Sequence, residues 1–197
     1  MKTLKYILKK FDIKKGREVP TNIFTDREAL LELFKELKFK MGVEVGTAEG
    51  LFAEKMIKVI PNLKLYMVDP YNAYPAYVDY DQDGCDKCLA EVKERMKDTN
   101  SELIQLPSME ALDKFEDNSL DFVYIDANHD YKFVFEDVEG WSKKVRKGGI
   151  VSGHDYGQDW GVKKAIQDYV KENGIKTWFV LGVGHYLNWF WVKGENV

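Results

Sequence analysis

Three residues able to ligate a metal follow two apolar segments, Asp126 after LDFVYI and His154 with Asp155 after GGIVSG. One imidazole and two carboxylates can hold a divalent cation, which could bind a substrate hydroxyl and lower its pKa. Upstream, Glu44, Val45, Gly46, Thr47, Ala48, Glu49 and Gly50 join another apolar segment to a helical one. Glycines at such a turn let a ligand approach the backbone, and a helix N-terminus offers unpaired amide donors. The spacing is not GxGxxG, so a pyrophosphate-binding dinucleotide fold is the weaker reading. Asp69 ends the next apolar segment, where a carboxylate can accept both hydroxyls of a ribose. Each of these residues also has a plainer use: the glycines in tight strand-helix packing, Asp69 as a helix cap, His154 bonded to loop backbone.

The elements that must position these groups alternate. Leu4, Ile7, Leu8 and Phe11 recur at helical spacing opposite a lysine face, and Thr25 with Glu28 forms a capping-box pattern ahead of Leu30, Leu33, Phe34 and Leu37. Two helices are therefore expected within 1–40, with the first covering the core or a subunit partner. Strands are then predicted at Met41 to Val45, Leu65 to Val68, Leu103 to Leu106, Phe122 to Ile125 and Ile150 to Val151. Helices fall between them at Leu51 to Ile60, Cys88 to Met96, from Ser108, and at Phe133 to Val145, with another at Val162 to Val170. Thr177 to Leu181 and Leu187 to Val192 read as an antiparallel C-terminal hairpin. The fold class is α/β: a Rossmann-like, mostly parallel, seven-stranded sheet with helices on both faces, in one domain whose sheet spans 41–197. Open sheets of this kind bind ligands at the carboxyl ends of their strands, where Asp126, His154 and Asp155 converge.

EVGTAEG followed by YMVDPY resembles the first two motifs of the class I S-adenosylmethionine-dependent methyltransferases, and the resemblance covers about Met41 to Val192. It implies that Glu44 and the turn with Gly46, Thr47 and Gly50 face the methionine portion of S-adenosylmethionine, that Asp69 takes the ribose, and that Ser108 and Met109 take the adenine. DANHDY and GGIVSGHDY resemble the metal-dependent O-methyltransferases related to the catechol and macrolide-sugar enzymes. That likeness implies Asp126, His154 and Asp155 as metal ligands, with His129 taking the substrate proton. A histidine titrating near neutrality suits a general base, although His129 could instead be a neighbour of a helix N-cap. His154 stands where that group usually has an acidic residue, so Mn²⁺ or Fe²⁺ becomes as plausible as Mg²⁺.

Tyr71, Tyr74, Tyr77 and Tyr80 line a segment containing Pro75 that is too long for an ordinary strand-helix turn, which suggests a substrate lid or a structural flap. Asp79, Asp81, Asp83 and Gly84 open like a calcium loop, but Ala90 takes the position where Glu is required, leaving a solvated acidic turn. Cys85 and Cys88 supply half a zinc site and read as reduced thiols in a loop. Trp189, Phe190 and Trp191 alternate on a strand, with one face free to stack on a ligand or a second subunit. The net charge of -4 argues against nucleic acid as a partner, despite the N-terminal lysines, and no apolar run suits a membrane span. The expectation is a cytoplasmic methyltransferase, able to form a homo-oligomer, acting on a small hydroxylated molecule. The alternatives are a metal-independent methyltransferase and a non-catalytic cofactor-binding module that engages a protein partner.

Overall fold

A computed structural model describes residues 2–14, 18–74, 80–157 and 161–196. The elements are α1 (Thr3–Lys10), β1 (Thr21–Ile23), α2 (Glu28–Glu36), β2 (Met41–Val45), α3 (Leu51–Val59), β3 (Lys64–Val68), α4 (Gln82–Met96) and β4 (Ser101–Ile104). There follow the short α5 (Ser108–Ala111), β5 (Leu120–Ile125), α6 (Tyr131–Lys144), β6 (Val145–Gly153), α7 (Gly161–Glu172), β7 (Trp178–Leu181) and β8 (Asn188–Val192).

One sheet runs in the order β1-β7-β8-β6-β5-β2-β3-β4. Every neighbouring pair is parallel except those made by β8, which runs against both β6 and β7. The α/β class, the parallel sheet and the antiparallel hairpin are as the alternation of elements implies. The sheet has eight strands rather than seven, because β1 adds to the edge through Thr21, Asn22 and Ile23 opposite Phe179, Val180 and Leu181. Three residues are too few to show an alternating pattern, so this strand left no periodic signal.

Side chains alternate across the sheet and build two cores. On one face α1 to α4 cover Leu65, Met67, Phe122, Tyr124 and Phe190; Leu4 and Ile7 of α1 are buried there, so that helix covers the core. On the other, α6 and α7 cover Val43, Val45, Val123, Trp189 and Trp191. Trp189, Phe190 and Trp191 are thus all buried, and β8 has no face left to stack on a ligand or a second subunit.

Several local expectations change. Thr25 does not cap α2, whose N-cap residue is Arg27; the side chain bonded to its first turn is that of Asp26, with Oδ1 accepting from the Ala29 N–H at 3.1 Å. The acidic turn is the start of α4, with Asp81 as its N-cap accepting from the Gly84 N–H at 2.9 Å, while Asp79 lies outside the described residues. Cys85 and Cys88 are free thiols buried on α4, not in a loop. β6 begins at Val145, well before Ile150, because Gly148 and Gly149 hide its alternation.

Gly42 of β2 marks a close approach between neighbouring strands. A Cβ there would stand 2.1 Å from Cζ of Phe122, whose ring stacks on Phe34 with centroids 4.4 Å apart. Gly42→Ala should therefore overpack the core and cost about 1–3 kcal/mol or more in a denaturant titration. Phe122→Leu should relieve part of that cost in the double variant, giving less destabilisation than the two single losses added. Simple additivity would mean that the ring is not the obstacle.

Candidate active site

Phe122 and Tyr124 face the α1–α4 side of β5, and the same alternation delivers Asp126 just beyond the strand. In β6, Phe122 lies opposite Ile150 and Tyr124 opposite Ser152, so the next step brings His154 beside Asp126. The backbone continues this match, with the His154 N–H donating to the Ile125 carbonyl at 3.0 Å. On the other flank Glu44 of β2 is in register with Tyr124, which puts its carboxyl on the same face.

The result is a compact cluster. His154 Nδ1 lies 3.1 Å from Asp155 Oδ2 and 3.6 Å from Asp126 Oδ1, and His129 Nε2 lies 3.0 Å from Asp155 Oδ2. One ligand atom from each of Asp126, His154 and Asp155 falls within 4.8 Å of the others, a spacing and donor set that fit a divalent cation. Asp155 has φ +58, a left-handed conformation seldom adopted outside glycine and kept where the surroundings over-determine it. Burial alone would lower the His154 pKa, but the Asp126 and Asp155 carboxylates outweigh it and push it up to about 9. Burial likewise raises Asp155, yet hydrogen bonds from His129 and His154 prevail and hold it well below the usual carboxylate range.

The turn after β2 shares the same cavity, of about 350 Å³, which is within the range of small-molecule sites. It is lined by Glu44, Gly46, Thr47, Ala48 and Glu49 on one side and by Asp126, His129, His154 and Asp155 on the other. Gly46 has φ +84, and a Cβ on it would stand 2.2 Å from the Asp126 carbonyl oxygen, so only glycine fits. Gly50, with φ +77, is the N-cap of α3. Glu44 is buried, and its Oε2 and the Thr47 Oγ1 lack a well-formed hydrogen bond. Burial pushes the Glu44 carboxyl up to about 8, an effect eased by the nearby Thr47 hydroxyl.

Asp69 braces the turn: Oδ2 accepts from the Ala48 N–H and Oδ1 from the Tyr71 N–H, each at 3.0 Å. Burial raises its pKa against those bonds. The Ser108 hydroxyl donates to Asp137 and accepts from Trp141 Nε1 at 2.8 Å, turning it toward α6. Met109 stays exposed on α5. At the ends of the tyrosine segment, Tyr71 donates to the Ala48 carbonyl at 2.9 Å and Tyr80 to Glu49 Oε1 at 3.1 Å, fastening it to the turn. Pro75 and Tyr77, central to the lid reading, lie outside the described residues.

Two residues escaped sequence reasoning. Arg27, the N-cap residue of α2, lines the cavity with Nη2 3.4 Å from Asp126 Oδ2. No motif surrounds it, and only the packing of α2 brings it there. Asp137 is a buried acid on α6 whose pKa burial pushes up to about 7, against the Ser108 bond. A carboxylate amid VFEDVEGW reads as a solvated helix face, so nothing in the sequence singles it out.

Residues 43–156 match a family described as a methyltransferase domain. No curated protein matches the chain. Among solved structures, an rRNA methylase from Streptococcus thermophilus superposes with a TM-score of 0.63 at 13% identity, over 87% of this chain and 98% of that one. A Staphylococcus aureus protein assigned as a caffeoyl-CoA O-methyltransferase gives 0.63 at 16% identity, over 97% and 90%. Spermidine synthase from Thermotoga maritima gives 0.59 at 16% identity over 86% of this chain, which spans 60% of that protein. At such identities the likeness carries the fold alone.

The buried Glu44 makes a stability prediction. A carboxyl with a folded pKa of about 8 keeps its proton in the folded state while the unfolded chain, near 4.5, has lost it. Stability should accordingly fall between those two pH values and level off above the higher one. Glu44→Gln, which cannot ionise, should remove this part of the decline, so that its melting temperature gains on wild type across that window. Parallel pH profiles for the two proteins would show that Glu44 is not held neutral.

Proposed function

The chain belongs to the methyltransferase-domain family, of the class I S-adenosylmethionine-dependent kind, and on that premise we propose that it methylates a hydroxyl of a small molecule with a divalent cation held by Asp126, His154 and Asp155. The observation carrying this reading is that the glycine turn and the Asp126-His154-Asp155 cluster line one cavity. Direct transfer needs donor sulfur and acceptor oxygen side by side, and a shared cavity meets that need.

On this reading Glu44, Gly46, Thr47 and Gly50 hold the methionine end of the cofactor and Asp69 the ribose. The Ser108–Met109 turn faces the adenine through backbone and thioether, since the Ser108 hydroxyl is engaged. A divalent cation on the cluster, Mg²⁺ or Mn²⁺, would lower the pKa of the acceptor hydroxyl and orient its oxygen. His129 takes the proton as the carbon-oxygen bond forms and the sulfur-carbon bond breaks. Asp155, 3.0 Å from His129 Nε2, orients that ring and steadies the imidazolium that results. Arg27 and His129 each contact a carboxylate of the triad, which limits the repulsion between two acids brought so close.

S-adenosylhomocysteine should raise the melting temperature by ligand linkage, and Asp69→Asn should sharply reduce that rise. With an acceptor identified by screening hydroxylated metabolites against labelled S-adenosylmethionine, chelation should stop turnover while the thermal shift survives. Asp155→Asn should reproduce the chelated state, and His129→Ala should slow transfer by roughly 10² to 10⁴. Full turnover by chelated, metal-free enzyme would contradict the metal, and no thermal shift at millimolar ligand would contradict the cofactor site.

A further inference from the structure

Arg27 rests on Phe52 of α3 and reaches Asp126 of the cation cluster, so it stands where the two sides of the cavity meet. Its guanidinium carbon sits 3.6 Å from the centroid of Phe52 and 5.2 Å from that of Tyr124, and these aromatic faces hold it in place. Nη2 reaches Asp126 Oδ2 only at 3.4 Å, a long contact, and the buried Nε lacks a well-formed hydrogen bond. A guanidinium carries five N–H donors in a planar fork, and a desolvated donor left unpaired is costly. Among the described residues lining the cavity, Arg27 is the one arginine or lysine.

The other acids of the cavity are already engaged. Burial favours the neutral form of Glu44, Glu49 accepts from Tyr80, and Asp155 is held by His129 and His154. The partner that the guanidinium lacks is therefore an anion brought by a ligand. On the reading above, the amides of the turn after β2 and the first amides of α3, which a helix leaves unpaired, serve the cofactor. That leaves the methyl acceptor to carry the anion that answers Arg27. Because Arg27 touches Asp126, a member of the cluster that would hold the acceptor hydroxyl, anion and hydroxyl must lie within a carbon or two of each other. A singly charged carboxylate suits one guanidinium among Glu49, Asp126 and Asp155, where a dianionic phosphate would add repulsion. Leu51 lines the same cavity and is 57% exposed, an apolar contact for the rest of the acceptor.

We propose that the methyl acceptor is an α- or β-hydroxy acid and that Arg27 selects it, pairing with the carboxylate while the hydroxyl lies at the Asp126-His154-Asp155 cluster. The assignment rests on the methyl transfer proposed above and adds the class of substrate to it. Bidentate pairing with the carboxylate replaces the long contact with Asp126. The methyl passes from the sulfonium to the hydroxyl oxygen, the hydroxyl proton goes to His129, and the carboxylate is unchanged.

The test loads the protein with Mn²⁺ and S-adenosylhomocysteine and titrates it by calorimetry with 2-hydroxybenzoate and with lactate, each against its own amide. Acid and amide are nearly the same shape and differ in charge. Wild type should favour at least one acid over its amide by about tenfold or more, as expected for a partly buried charge-assisted pair. Arg27→Met, which keeps an apolar stem over Phe52, should lose most of that preference while binding S-adenosylhomocysteine as wild type does, and Arg27→Lys should keep part of it. Attraction of the acid to the cation is common to all three proteins and cancels in the comparison. A melt monitored by circular dichroism establishes that both variants fold, and Arg27→Lys carries the comparison if Arg27→Met does not. No preference in wild type, or an equal preference in the variants, would overturn the assignment. So would a weaker hold on S-adenosylhomocysteine in the variants, which would give the guanidinium to the cofactor. Wild type binding neither S-adenosylhomocysteine nor Mn²⁺ would instead overturn the reading of the cavity on which the assignment depends.

Discussion

The close approach of Gly46 to the backbone of Asp126 and Ala127 is the constraint on which the site depends. With no side chain on Gly46, the turn after β2 lies flat against the end of β5; a Cβ would fall 2.6 Å from the Ala127 Cα. Backbone hydrogen bonds continue past the strands and lock the arrangement. The Asp69 N–H donates to Ile104, Gly46 to Val68, Asp126 to Val45 and His154 to Ile125, at 2.8–3.2 Å. Five consecutive strand ends are thereby tied in one row, and four of them deliver the residues of the site. Any bulkier residue at Gly46 would separate the two sides of the cavity and leave each with half a site.

The electrostatics follow from crowding acids along that row. Glu44, Asp69, Asp126 and Asp155 end neighbouring strands, and a low-dielectric interior cannot keep so many bare anions together. Each is handled differently: burial favours the neutral form of Glu44, backbone N–H groups solvate Asp69, Arg27 adjoins Asp126, and two histidines hold Asp155 ionised. In effect the protein keeps positive charge, or a proton, beside every carboxyl of the site. Polar atoms on Arg27, Glu44, Thr47 and His154 are left without a well-formed hydrogen bond, and such groups in a folded domain point to a chemical role or to a water, ion or ligand that satisfies them.

What the sequence made legible depended on whether local pattern or tertiary packing did the placing. LDFVYI and GGIVSG announce buried parallel strands by nearly continuous apolar character, and the acids and histidine after them are placed by strand direction alone. Arg27 sits before an ordinary amphipathic helix, and nothing local says that α2 packs beside α3 so as to aim it at Asp126. Ser108 shows the reverse: its place just past a strand says nothing of its hydroxyl, which a buried acid one helix away takes. β1 was hidden by brevity, and the thiols of α4 by the acidic residues preceding them, which read as a loop.

The central claim is that cofactor and cation occupy one cavity close enough for direct methyl transfer. Relaxation of a ¹³C-labelled S-adenosylmethionine methyl, measured by NMR with Mn²⁺ bound, reports that proximity without requiring the acceptor. The arrangement of Gly46 against Asp126 predicts strong paramagnetic enhancement, lost when Asp155 is replaced by Asn although the cofactor still binds. Diamagnetic relaxation of the methyl with both Mn²⁺ and cofactor bound to the wild-type protein would place them in separate sites and contradict the account.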